Sequence, residues 1–88
     1  MGRIEITADD INIVINKLQK EVARRLNEKG KGSFASRHEI LGIIAEEYHE
    51  LVGAVESKSL TDVEDELFDL AVGAVISAAC TMAGKVDW

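Results

Sequence analysis

At 88 residues the chain makes one domain, residues 1–88, and a domain of this size buries only about 60–65% of its unfolded surface, so its stability alone is slender. Hydrophobic residues at 47% and charged residues at 30% exclude a disordered chain, and aromatics at 5% leave the core to Ile, Leu, Val and Ala, as in packed helices. The net charge of -6, from 16 acids against 10 Lys and Arg, excludes a nucleic-acid backbone as the main partner, because such binding relies on clustered bases.

The first ten residues, MGRIEITADD, lack the apolar stretch of a signal peptide. Helix one is expected from about Ala8 to Lys29. Thr7-Ala8-Asp9-Asp10 places a hydroxyl three residues before an acid, a helix-start signal, and Gly30 supplies the stop. Its apolar stripe is Ile11, Val14, Ile15, Leu18, Val22 and Leu26, and Lys17, Lys20, Arg24 and Arg25 are assigned to the opposite, charged face. The interspersed Glu21 and Glu28 argue against a membrane-surface helix. A flexible connector, Gly30 to Ala35, follows.

Helix two is expected from about Arg37 to Glu56, opened by the capping pattern Ser36-Arg37-His38-Glu39. Its apolar side is Leu41, Ile44, Tyr48, Leu51, Val52 and Val55. Helix three is expected from about Asp62 to Ala83, with Thr61-Asp62-Val63-Glu64 as its start signal and Gly84 as its stop. It begins amphipathic, with Val63, Leu67, Leu70 and Ala71, and from Leu70 onward is apolar nearly all round. A helix without a polar face must be covered on every side. Two other helices of one small chain cannot do that, so a homo-oligomer, most simply a two-fold dimer, is expected. The run from Leu70 to Ala83 is too short to cross a bilayer. The lone Cys80 sits in an apolar run, reads as a small core residue and permits no internal disulfide, which fits a cytoplasmic protein.

Two short carboxylate pairs carry the chemistry. Glu47 and Glu50 lie three apart in AEEYHEL, and Glu66 and Asp69 lie three apart in EDELFDL. Residues three apart on a helix share a face. The short connection Ser57-Lys58-Ser59-Leu60 makes helices two and three antiparallel neighbours. Glu50 and Glu66 are then about equally far from the turn, and so are Glu47 and Asp69. Either pair alone is common on a solvated helix face. Two pairs in register, flanked by the small residues Gly53, Ala54, Gly73 and Ala74, point to a divalent cation between the helices. An all-oxygen donor set favours Mg²⁺ or Mn²⁺ over zinc, and His49 projects away from Glu50 on the helix.

The segment from Glu39 to Ala83 resembles the all-α nucleoside triphosphate pyrophosphohydrolases of the MazG-like superfamily. Their E-E-x-x-E signature reads Glu46-Glu47-Tyr48-His49-Glu50 here, and their E-x-x-D reads Glu66-Leu67-Phe68-Asp69, within a hairpin of about residues 37–83. The resemblance implies an all-α helical-bundle dimer or dimer of dimers. It implies that Glu47, Glu50, Glu66 and Asp69 coordinate Mg²⁺, that Glu46 is a further ligand or orients water, and that Glu46 or Glu50 accepts the proton. The reaction it implies is cleavage of a nucleoside triphosphate to monophosphate and pyrophosphate.

The sequence departs from the family pattern in its basic residues. The Lys, Asn and Arg that many members carry after the second motif have no counterpart in Gly84-Lys85-Val86-Asp87-Trp88, and Ile43-Ile44-Ala45 stand where lysines often precede the first. Cations for the substrate then fall to Arg37, Lys58, Lys85 or a partner subunit. His38, in the first turn of helix two, reads as a surface residue with contact to a nucleotide as the other reading, and Trp88 is expected to pack on a neighbour or fray. Two other readings fit the same residues: a phosphoribosyl-ATP pyrophosphohydrolase, and a non-catalytic helical oligomer that binds nucleotide or a protein partner.

Overall fold

The computed structural model describes residues 2–86, so Asp87 and Trp88 fall outside it. Three helices follow in order: α1 (Ala8–Lys29), α2 (Arg37–Ser57) and α3 (Leu60–Met82). The chain is all-α, and each helix starts on a hydroxyl cap. The Thr7 hydroxyl accepts from the Asp10 backbone N–H at 3.1 Å, and the Asp10 carboxylate accepts from the Thr7 N–H at 2.8 Å. The Ser36 hydroxyl accepts from the Glu39 N–H at 3.2 Å. Gly84 closes α3 with a positive φ of 67°, and the Lys85 N–H reaches back to the Cys80 carbonyl at 2.9 Å.

The start of α3 differs from the expectation. Its cap is Ser59, whose hydroxyl accepts from the Asp62 N–H at 3.2 Å, and Thr61 already lies inside the helix. Lys58 explains the shift. It ends α2 in a left-handed conformation (φ 62°), with its N–H on the Val55 carbonyl at 3.2 Å, and this reverses the chain in a single step. Only Ser59 is then needed as the extended residue before α3. The hairpin turn is two residues, tighter than the sequence pattern suggests.

α3 is the central helix. It packs antiparallel to α2 and roughly parallel to α1, while α1 and α2 stay apart. Val14 and Leu18 of α1 face the first half of α3, and Val22 and Leu26 face its second half. Lys17 reinforces the first contact: its ammonium lies 3.4 Å from Glu64 and 4.4 Å from the Phe68 ring centre, so this lysine reaches onto α3 and not simply outward.

The buried core is small. Among the described residues only Ala54, Val72, Gly73 and Ser77 are buried, and none is in α1. Much of the expected apolar stripe is exposed: Ile11, Val14 and Ile15 on α1, Leu41, Tyr48 and Val55 on α2 and Met82 on α3, Val14 even though it faces the open groove beside α3. The molecule extends 49 × 28 × 26 Å with a radius of gyration of 15.0 Å, against about 12 Å for a compact chain of this length. Ala54 and Gly73 are buried between elements; a methyl added at Gly73 would meet Ile44 Cδ1 at 3.7 Å, an ordinary contact distance. They therefore serve packing, while Gly53 and Ala74 are exposed.

Candidate functional site

The tight turn fixes the register of the acids. Counting from Lys58 back along α2 and from Ser59 forward along α3 brings Glu50 and Glu66 level, with Glu47 and Asp69 one helical turn further on. One carboxylate oxygen from each of Glu47, Glu50, Glu66 and Asp69 lies within 4.8 Å of the others. The structure thus brings together all four residues that the two sequence pairs single out. Glu50 is exposed, and the other three are half-buried.

Electrostatics mark the group as unsatisfied. Burial pushes the Glu47 carboxyl above its ordinary range, helped by repulsion from Glu50 and Asp69. Glu66 is pushed the same way by loss of solvent, then by the charge of Glu50 and a hydrogen bond with it that favours the protonated form. One oxygen of Glu47 and one of Glu66 are buried with no hydrogen-bond donor. A buried acceptor without a partner is costly. The donor set itself fits a hard cation.

Comparisons of the chain with protein-family models, curated proteins and solved structures return no match.

The remaining candidates are distributed unevenly. Glu46 is exposed and stands outside the group of four; its charge adds to the repulsion on Glu47. His49 is exposed and also outside it. Lys58 sits in the hairpin turn, some 12 Å along the helices from the acids. Arg37 is the exposed first residue of α2, and His38 follows it. Lys85 lines a cavity of about 470 Å³ at the opposite end from the turn. Cys80 is half-buried in the wall of that cavity.

One residue escaped the sequence reading. Arg25 is half-buried on α1, lines the same cavity, and its positive charge offsets part of the repulsion on Glu47. Grouping it with Arg24 on an outer face was wrong. Arg24 is held outward by Glu21 at 2.6 Å and Glu28 at 3.1 Å. At ~100° per residue, Arg25 falls about 20° from Leu18 and about 20° from Val14, inside the apolar stripe. Its angular position was the available signal.

Proposed function

We propose that the chain is a Mg²⁺-dependent nucleotide pyrophosphohydrolase, with Mn²⁺ as a substitute, that cleaves a nucleoside triphosphate to monophosphate and pyrophosphate. The observation that carries the reading is the convergence of four carboxylates from two helices, two of them with buried oxygens lacking any hydrogen-bond donor. The MazG-like double motif that these residues form supports the same chemistry. A bound hard cation neutralises polyphosphate charge and acidifies a coordinated water. Glu47, Glu66 and Asp69 are the half-buried holders of charge. Glu50, the exposed member, or Glu46, also exposed, would take the proton of the attacking water. The test is incubation with Mg²⁺ and a panel of (d)NTPs, detecting pyrophosphate, beside Glu47→Gln and Asp69→Asn. Release of pyrophosphate that both substitutions abolish is expected; no release from any substrate would sink the reading.

We further infer that the working form is a homo-oligomer. A compact folded protein of 9.6 kDa exposes about 5,100 Å², and this chain exposes 6961 Å². The surplus of roughly 1,900 Å² exceeds the ~800 Å² per partner of an ordinary stable interface. Leu41, Tyr48 and Val55 recur every seven residues along α2 and are all exposed, the spacing at which a second helix packs. An apolar groove between α1 and α3, walled by Val14, Leu18, Leu60, Val63 and Leu67, adds to the open surface. Light scattering should give at least a dimer; a stable monomer at micromolar concentration refutes the inference.

A further inference from the structure

The cavity near the acids has a composition unlike the rest of the chain. Its floor is apolar, from Val22 and Leu26 of α1 and Val75, Ile76 and Ala79 of α3. Around it stand four cations, Arg25, Lys29, Lys31 and Lys85, against a single acid, Glu39. That is four of the ten Lys and Arg in a chain whose net charge is -6. None of the four forms an ion pair among the described residues, whereas Arg24 and Lys17 do. The cavity begins about two helical turns from the carboxylates: Val75 follows Asp69 by six residues and Glu39 precedes Glu47 by eight, which is ~9–12 Å at 1.5 Å per residue. Arg25, half-buried on α1, lines this cavity between Val22 and Leu26.

We propose that this cavity seats the nucleoside part of a nucleotide and that Arg25 binds its phosphate chain where it passes from the cavity to the acidic group. The ligand's chemistry rests on the pyrophosphohydrolase reading; its placement rests on the cavity. An apolar floor suits a flat base, and a volume of about 470 Å³ lies within the range of small-molecule pockets. A planar guanidinium matches phosphate oxygens in paired hydrogen bonds. The lysines at the mouth draw the polyanion in against the chain's overall negative field. Ser33 and Glu39 are the wall residues able to accept hydrogen bonds from sugar hydroxyls or a base amino group.

Calorimetric titration tests this in Mg²⁺ with two probes: a dATP analogue carrying a methylene α–β bridge, and inorganic tripolyphosphate. Arg25→Ala should weaken both by about ten- to a hundred-fold, with Arg25→Lys recovering part. Ala79→Phe, which fills the floor, should weaken the analogue and leave tripolyphosphate binding unchanged. Mn²⁺ binding read by electron paramagnetic resonance should stay within about twofold in Arg25→Ala, and the circular dichroism should remain helical. Should Arg25→Ala not fold, Arg25→Gln gives the same reading. Unchanged binding of both probes by the Arg25 variant, or an unchanged analogue affinity in Ala79→Phe, overturns the proposal. Binding without cleavage would leave it standing and overturn only the pyrophosphohydrolase reading. Cleavage whose KM is indifferent to Arg25→Ala would do the reverse.

Discussion

Replacing Glu47 by glutamine should stabilise the metal-free chain and remove its response to Mg²⁺. Glu47 has carboxylate oxygen within 4.8 Å of oxygens on Glu50, Glu66 and Asp69. Two full charges at that distance repel by about 0.9 kcal/mol in a water-like dielectric and about 3.5 kcal/mol at an effective dielectric of 20. The higher figure needs discounting, because Glu50 is exposed and Glu47 itself is only half-buried. The upward shift of the Glu47 carboxyl has burial as its main cause, with repulsion from Glu50 and Asp69 added to it. A glutamine removes the charge, and its amide can donate to a neighbouring carboxylate. The net gain is about 1–2 kcal/mol, or roughly 5–15 °C in Tm for a domain this size.

Divalent metal reverses the comparison. The wild-type chain should gain about 2.7 kcal/mol when Mg²⁺ stands at a hundred times its Kd, and the variant should gain little. The assay is thermal unfolding by circular dichroism at fixed protein concentration, in EDTA and in Mg²⁺. A variant less stable than wild type in EDTA would mean that the four acids do not repel as the geometry requires. An equal Mg²⁺ shift in both proteins would mean that the acidic group is not where the ion binds.

Three further outcomes follow from the same structure. Because Glu47 and Glu66 are raised in the folded state, the metal-free protein binds extra protons when folded; their contribution is fully present below the ordinary glutamate pKa of ~4.3 and is lost as pH rises through the folded values. Mg²⁺ affinity should rise over the same window, and a pH-independent affinity by calorimetry would contradict it. Ser59→Ala should cost about 1 kcal/mol in chemical denaturation while Thr61→Ala costs far less, since Ser59 holds the cap of α3; the opposite ranking would restore the boundary that the sequence pattern suggests. Gly73→Ala should stabilise by about 0.5–1 kcal/mol, because the added methyl meets Ile44 Cδ1 at an ordinary 3.7 Å and the helix loses a flexible residue; a loss in the same assay would show that this contact has no room.

What could be read from the sequence was whatever local rules decide. The acid pairs were legible because spacing on one helix and the length of one turn together fix where four side chains meet. The helix limits came within two residues for the same reason, and the one shift, Ser59 for Thr61, arose where two hydroxyls competed for a single cap. Periodicity shows that Leu41, Tyr48 and Val55 share an apolar side, but not that their own chain leaves that side open. The cavity was hidden for a related reason. Its walls come from the end of α1, the connector, Glu39 at the start of α2 and the second half of α3, and the first and last of these lie some fifty residues apart in the chain. No spacing rule links Arg25 to Ala79 or Lys85; only the roughly parallel packing of α1 on α3 does. That packing rests on few buried residues, so the parts of this chain that read least clearly are also those most dependent on a covering partner.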